Sequence, residues 1–306
     1  MRNTVIKEIE ALAAKDERIA VITGDLGYNV LDHFKERFPQ RFFNVGIAEQ
    51  IMTSAAAGMA LSGNVVFTYS IGNFATLRCI EQIRNDVCYH NANVKILAVG
   101  GGFSYSQLGM SHHATEDIAM MRVLPNMRVF VPADPEEAAN AVRCAVMEEG
   151  PCYIRLARGQ DPILYTKPVG FCVNEIQTIF TGKDVALLAC GPLLGEVLEA
   201  AKCLNKKSVS ASVYSVPCVK PLDFSKIQYI AANSRLIVTV EEHQVAGGLG
   251  GAVAEVLSGL PSSGTRLCRL GLKDEYTSIV GSHDYLCDYY GVSCMKIADF
   301  VCAALR

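Results

Sequence analysis

A lone carboxylate stands where an extended segment runs into an apolar helix. In Phe42-Phe43-Asn44-Val45-Gly46-Ile47-Ala48-Glu49-Gln50 the chain passes through Gly46 and places Glu49 in the first helical turn. An acid there is favourable to the helix dipole and needs no function on that ground. The helix behind it, Ile51-Met52-Thr53-Ser54-Ala55-Ala56-Ala57-Gly58-Met59-Ala60, is apolar nearly all round. Such a helix is buried, so Glu49 is expected to be buried with it. A buried carboxylate needs a partner, and desolvation disfavours its charged form; both suit a proton-handling group. Two other places carry usable chemistry. His112 and His113 lie side by side in a polar loop near Gly109 and suit a hydroxyl donor or proton shuttle, or simply an exposed surface. Arg158 ends an apolar run and suits an anion anchor, or a surface position. Arg155, three residues earlier, points elsewhere on a strand, and His243 and His283 are assigned to structure. Gly247-Gly248-Leu249-Gly250-Gly251 precedes a helix and reads as a phosphate cradle or, preferably, as a tight loop. There is no dinucleotide fingerprint, Walker loop, Gly-x-Ser-x-Gly or His-Glu-x-x-His.

The elements that must position these residues follow from hydrophobic periodicity. Helices are expected over 4–14, 48–61, 73–89, 116–121 and 135–149, the last capped by Asp134 with Pro135 at its first position. Strands are expected over 19–23, 42–45, 64–69, 94–100, 127–131 and 152–157. They are continuous apolar runs, as a parallel sheet buried on both faces requires, and they alternate with helices. A stretch punctuated by Pro162, Pro168 and Gly170 breaks this rhythm, after which strands at 184–189, 210–216, 236–240 and 267–270 and helices at 194–204, 250–260, 284–290 and 295–305 resume it. The expected fold class is α/β, with two domains of parallel or mixed sheets flanked by helices. The expected division is 1–160, a linker over 161–182, and 183–306.

Composition narrows the function. The 306 residues are half hydrophobic, with a formal net charge of −3 and no basic run longer than Lys206-Lys207, which speaks against nucleic acid and anionic membrane. No uncharged apolar stretch reaches the roughly 18 residues of a membrane span. Met1-Arg2-Asn3-Thr4 runs at once into an amphipathic helix without a signal core. The twelve cysteines form no Cys-x-x-Cys pair and read as small buried hydrophobes in a reducing compartment. A cytoplasmic protein is expected.

The Glu49 segment resembles the cofactor-activating motif of the transketolase family, and the resemblance runs the length of the chain. Gly24-Asp25-Leu26-Gly27 is similar to the family's loop beside the aminopyrimidine, and Phe67-Thr68-Tyr69-Ser70-Ile71-Gly72-Asn73-Phe74 to the segment whose aromatic ring stacks on it. Ser111-His112-His113-Ala114-Thr115-Glu116-Asp117 is similar to the stretch that brings a histidine to substrate. Pro151-Cys152-Tyr153-Ile154-Arg155-Leu156-Ala157-Arg158 is similar to the strand that ends in a substrate-binding arginine. The resemblance implies a thiamine-diphosphate-binding fold followed by a transketolase C-terminal-like domain. It implies thiamine diphosphate as cofactor, with Asp25, Leu26, Glu49, Ile71 and Phe74 binding it, and Leu77 lining the same pocket. It selects Glu49 and His112 as catalytic, and His112, Arg158 and Asn29 as substrate-binding. Glu49 would hold the pyrimidine in its imino tautomer, whose nitrogen removes the thiazolium proton.

The sequence also departs from the family. The half with the Gly-Asp-Gly and Asn ligands for Mg²⁺ and diphosphate is missing, which implies a separate N-terminal transketolase subunit carrying them. A homodimer alone and an α2β2 heterotetramer with that partner are expected. Gly100-Gly101 and Leu108 stand where transketolases carry a His-Asp pair and an Asp, and Asn29 where they carry a phosphate-gripping serine, so a modified or less phosphorylated sugar is expected. Transfer of a two-carbon ketol unit is the leading activity. The alternatives are a subunit like deoxyxylulose-phosphate synthase or the 2-oxoacid dehydrogenase beta chain, and a non-catalytic interaction subunit.

Overall fold

A computed structural model describes residues 1–159, 161–165, 174–260 and 264–306. Pro168 and Gly170 of the expected linker lie outside the described residues. The chain begins with α1 (Arg2–Ala13), β1 (Ile19–Thr23), α2 (Asp32–Arg37), β2 (Phe42–Asn44), α3 (Glu49–Leu61) and β3 (Val65–Ile71). Short helices α4 (Gly72–Ala75) and α5 (Ile80–Gln82) follow, then β4 (Val94–Val99), α6 (Asp117–Val123), β5 (Arg128–Phe130), α7 (Pro135–Met147) and β6 (Cys152–Leu156). The second part holds β7 (Gln177–Phe180), β8 (Val185–Ala189), α8 (Leu194–Lys206), β9 (Ala211–Ser215), β10 (Cys218–Lys220), α9 (Phe224–Asn233) and β11 (Leu236–Gln244). It ends with α10 (Leu249–Ser258), β12 (Arg266–Leu272), α11 (His283–Tyr289) and α12 (Cys294–Ala304).

These strands form two sheets, ordered β10-β5-β6-β4-β3-β1-β2 and β12-β11-β8-β9-β7. Pairing is parallel except at two edges, where β10 runs antiparallel to β5 and β7 antiparallel to β9. Every residue of β1, β4, β6 and β8 is buried. Helices on both faces explain why those strands read as largely apolar runs, broken only by buried Lys95 in β4 and Arg155 in β6. Asp134 caps α7 as expected, its Oδ1 accepting from the Glu137 N–H at 2.8 Å. Cys79, Cys88, Cys152, Cys190 and Cys287 are buried thiols. Among the described residues no helix is long and apolar enough to cross a membrane.

The structure departs from expectation at five places. The helix over 73–89 is broken into α4, a 3-10 turn at Leu77–Cys79, α5 and a π-helical turn at Ile83–Cys88. Thr76 leaves ideal helical geometry, and its hydroxyl donates back to the Gly72 carbonyl at 2.7 Å, so the ladder restarts in a new direction. The linker range contains an edge strand, β7. The strand at 236–240 continues to Gln244, because Glu241, Glu242 and His243 find buried partners in distant parts of the chain. Strand β10 lies within 183–306 yet completes the first sheet, so the two halves share a sheet edge. Helix α3 is only half covered. Met52, Ala56, Ala57 and Ala60 are buried, while Ile51 is 63% exposed and Ile47, just before the helix, 81%.

Candidate active site

Glu49 opens α3 at the carboxyl end of the first sheet and is 1% exposed. Its Oε1 accepts from the Ser70 hydroxyl at 3.1 Å, and its Oε2 from Arg78 Nη1 at 2.5 Å. Ser70 comes from the end of β3, and Arg78 from the 3-10 turn made by the helix break. Gly24 lies against the same carboxyl group: a Cβ there would stand 3.2 Å from Glu49 Cγ and 3.4 Å from Oε1. The loop after β1 thus reaches Glu49 because residue 24 has no side chain.

Arg78 is a site residue that sequence reasoning missed. Four residues after Phe74, it folds back so that its guanidinium lies 4.2 Å from the centre of the Phe74 ring while it donates to Glu49. A flat, hydrogen-bonding cation therefore fills the space between the aromatic face and the carboxylate. Arg78 itself is 39% exposed and has room to swing outward. The spacing of four residues is the available signal, but the break that aims Arg78 inward is not visible in it. Leu77 is exposed rather than lining a pocket.

From Phe74 a row of rings crosses the cleft. The His112 ring meets Phe74 edge-on at 5.2 Å, the Tyr105 ring lies 5.7 Å from His112, and Arg158 sits 4.8 Å over Tyr105. The structure so brings Glu49, Phe74, His112 and Arg158 onto one continuous wall, with Tyr105 as a second member that sequence reasoning missed. Tyr105 also explains Gly100. That glycine has φ +94°, and a Cβ on it would fall inside the edge of the tyrosine ring, which takes the space a side chain would need. Desolvation lowers the His112 pKa, so the imidazole is neutral at pH 7 and offers one donor and one acceptor. Its Nδ1 is 3.0 Å from the Ser111 hydroxyl.

The two adjacent histidines have different fates. His113 is buried: Nδ1 meets Thr277 Oγ1 at 2.8 Å and Nε2 meets the Ser106 carbonyl at 3.0 Å. It ties the loop to the second sheet's side of the molecule, leaving His112 to face the cleft. Asp25, at φ +59°, hydrogen-bonds Asn44 Nδ2 at 3.1 Å and the Tyr28 hydroxyl at 2.8 Å, and these contacts lower its pKa. Leu26 packs on the core beside β1, its carbonyl accepting from Thr23 Oγ1 at 2.9 Å. Ile71 closes β3. Asn29 is exposed, at φ +60°, and its backbone N–H donates to Asp32 Oδ2 at 2.9 Å.

A charged seam beneath the cleft joins the two sheets. Arg155, on the strand before Arg158, is buried. It donates to Asp117 at 2.8 Å and to the carbonyls of Ala114 at 2.6 Å and Glu242 at 3.1 Å. Tyr153 donates to the same aspartate at 2.5 Å. His243 is structural, as assigned: its Nε2 accepts from the Ala119 N–H at 3.2 Å and its Nδ1 meets the Gln244 carbonyl at 2.7 Å. The glycine loop before α10 is filled by the protein's own carboxyl group, since Glu241 accepts from the N–H groups of Leu249 at 2.6 Å and Gly250 at 2.9 Å. A Cβ on Gly248 would collide with that carboxyl group. The loop is a tight packing loop, with no place left for a phosphate.

Glu137 gives a testable pH dependence. It is buried on α7 and accepts from Ala133 N–H at 2.7 Å, Ser215 Oγ at 2.6 Å and the Tyr165 hydroxyl at 3.1 Å. Burial pushes its pKa up to about 7. The folded protein then holds a proton that the unfolded chain releases near pH 4.5, so stability falls as pH rises through that window and levels off above pH 7. The expected loss is on the order of 3 kcal/mol between pH 4.5 and pH 8. Urea titrations across this range should show it, and Glu137→Gln should reduce the slope without removing it, because burial also raises Glu241 to about 7. An unchanged slope in that variant would assign the dependence elsewhere.

Two α/β sheets, with a buried carboxylate at a helix start and an aromatic ring on either side of the Arg78 guanidinium, define a two-domain chain with its candidate site at the carboxyl ends of the first sheet. Comparison with known proteins specifies it. Residues 1–162 match the pyrimidine-binding domain of transketolase, and residues 175–297 match the transketolase C-terminal domain. A putative transketolase C-terminal section from Methanocaldococcus jannaschii is 37% identical over 303 residues, covering 97% of this chain and 94% of that protein. One of the subunits of an apulose-4-phosphate transketolase from Actinobacillus succinogenes is 34% identical over 268 residues, covering 87% of this chain and 85% of that one. A solved split-gene transketolase, described as an inactive beta4 tetramer, superposes with a TM-score of 0.91 at 38% identity over 99% of this chain and 97% of that one. The chain belongs to the transketolase family, as a transferase subunit of that type.

Proposed function

We propose that this chain is the C-terminal subunit of a split, thiamine-diphosphate-dependent transketolase that transfers a two-carbon ketol unit between sugar substrates. The observation that carries this reading is the pairing of buried Glu49 with the Phe74 face across a gap already taken by a planar hydrogen-bonding group. The guanidinium of Arg78 there stands in for an aminopyrimidine: flat, stacked, and donating to the carboxylate. The residues fit the cofactor that the family implies, once Arg78 swings into solvent.

When bound, thiamine diphosphate supplies a nucleophilic thiazolium carbon. Glu49 holds the proton at the pyrimidine ring nitrogen, with Ser70 fixing its other oxygen. Phe74 supplies the stacking face, and Asp25, Leu26 and Ile71 border it. Neutral His112 moves or donates a proton at a substrate hydroxyl, while Arg158 binds an anionic group at the far end of the row. Tyr105 fills the space a side chain at Gly100 would need, which supports a substrate pair unlike the ordinary one. Alanine at His112 or at Arg158 removes one charged or catalytic hydrogen bond of about 1.5–3 kcal/mol. Each should cost about ten- to hundredfold in kcat/KM. The Arg158→Ala loss should fall mainly on KM for an anionic acceptor; a pure kcat effect would speak against an anchor.

The diphosphate and Mg²⁺ ligands belong, on this reading, to an N-terminal transketolase subunit. The uncovered apolar edge at Ile47, Ile51 and Leu61 supports burial of this face in an assembly. We assign the functional domains to 1–160 and 183–306, and read the chain alone as a homodimer and the complete enzyme as a cytoplasmic α2β2 heterotetramer. Calorimetry tests the shared site: thiamine diphosphate with Mg²⁺ should bind the mixed subunits and neither one alone. Equal binding by the isolated chain would remove the split-site reading.

A further inference from the structure

A crevice opens at the carboxyl ends of the second sheet's strands, and Arg158, at the far end of the ring row, also lines it. From β8 the chain turns to β9 on one side, while β11 and β12 lie on the other. The strand order therefore reverses between β8 and β11. Open α/β sheets bind ligands outside the carboxyl ends of their strands at such a reversal. Here that point opens into a cavity of about 770 Å³ lined by Cys190 just after β8, by Glu196 of α8 and by Glu242 near the end of β11, with His283 of α11 and, from the first half, Gly101 and Arg158.

At the wall of this cavity three different donor types converge. Glu242 Oε1, His283 and Cys287 Sγ offer ligand atoms that all lie within 4.8 Å of one another. His283 Nε2 is 2.7 Å from Glu242 Oε1, and Cys287 Sγ is 3.8 Å from His283 Nε2 and 4.0 Å from Glu242 Oε1. His283 and Cys287 sit four residues apart on α11 and so share one helix face. Glu242 is fixed from behind: its Oε2 accepts from the Phe103 N–H at 2.9 Å. Gly102, at φ +60°, makes room for it, since a Cβ there would collide with that oxygen. Glu242 and Cys287 are buried, and the half-exposed His283 faces the cavity.

We propose that Glu242, His283 and Cys287 form a metal site for a borderline divalent ion of the zinc class, with its fourth position open to the crevice. One nitrogen, one thiolate and one carboxylate are the ligand types that Zn²⁺ takes, and three protein ligands with an open position are the pattern of a site that binds a further ligand. Tetrahedral zinc bond lengths place nitrogen and oxygen about 3.3 Å apart, and nitrogen and sulfur about 3.6 Å apart. The same bond lengths place oxygen and sulfur about 3.6 Å apart, so the observed 2.7, 3.8 and 4.0 Å require His283 to withdraw from Glu242 by roughly half an ångström and Cys287 to close on Glu242 by roughly 0.4 Å, with the metal taking the place of the proton His283 shares with Glu242. Soft and borderline donors of this kind disfavour Mg²⁺ and Ca²⁺.

Titration of the full-length chain with Co²⁺ tests the site. One equivalent should bind per chain, with an intense thiolate-to-cobalt band in the near ultraviolet that stoichiometric Zn²⁺ abolishes and excess Mg²⁺ does not. Cys287→Ser should lose the band, and His283→Ala, on the half-exposed side, should weaken Co²⁺ binding at least thirtyfold while the circular dichroism of the chain is unchanged. If Cys287→Ser proves unfolded, the His283→Ala titration decides alone. Absence of the band, its persistence in Cys287→Ser, or unchanged affinity in His283→Ala would each overturn the proposal.

Discussion

Glutamine at position 49 is expected to lower ketol transfer by the assembled enzyme by about 10²–10⁴-fold, the range for a lost proton-handling group. The substitution keeps size and shape, so the packing against Gly24 survives. An amide offers a hydrogen bond to a ring nitrogen but exchanges no proton with it. The loss should therefore fall on kcat, with KM for both sugars little changed. The Ser70 contact can persist, whereas Arg78 loses its anion and is free to leave the Phe74 face. Cofactor affinity should accordingly change far less than turnover. Steady-state kinetics of the mixed subunits at saturating thiamine diphosphate make the check. Wild-type turnover in Glu49→Gln would leave Glu49 as a structural cap.

The second large effect is on stability. Arg155→Ala strands Asp117, which is 1% exposed and would keep the Tyr153 hydroxyl as its close side-chain donor. It also releases the carbonyls of Ala114 and Glu242. Removing one member of a buried ion pair costs about 3–5 kcal/mol. For a chain of this size that is a fall in unfolding midpoint of roughly 5–8 °C. The pair's own worth is smaller, because an apolar replacement of both partners recovers much of the loss. Arg155→Met with Asp117→Leu should thus be more stable than Arg155→Ala alone. Thermal unfolding of the three proteins decides it; a midpoint unchanged in Arg155→Ala would show that the seam does not hold the two sheets together.

What the sequence reveals, and what it hides, follows from the range of each interaction. Apolar runs such as 19–23 and 185–189 declare buried parallel strands because both faces are covered, and nothing distant is needed to read them. Glu49, Phe74, His112 and Arg158 are legible as residue types in order along the chain, and the fold sets Phe74, His112 and Arg158 in a row beside Glu49. Arg78 is hidden because its aim depends on the helix break at Thr76, a hydrogen bond that periodicity does not encode. Tyr105 is hidden because it is the partner of an absence, the missing side chain at Gly100. The polar triplet Glu241-Glu242-His243 looks like a strand end. It continues the strand because Leu249, Phe103 and Ala119 supply its hydrogen bonds from up to 139 residues away. Strand β10 is three residues long and pairs across the two halves, so no local pattern marks it.

The claim that this chain carries half of a shared active site is tested most directly by reconstitution. Purified chain with thiamine diphosphate, Mg²⁺ and a panel of ketose donors and aldose acceptors should show no ketol transfer. Adding the separately expressed N-terminal transketolase subunit should restore transfer in proportion to the complex formed. Turnover by the isolated chain at the rate of the mixture would contradict the account.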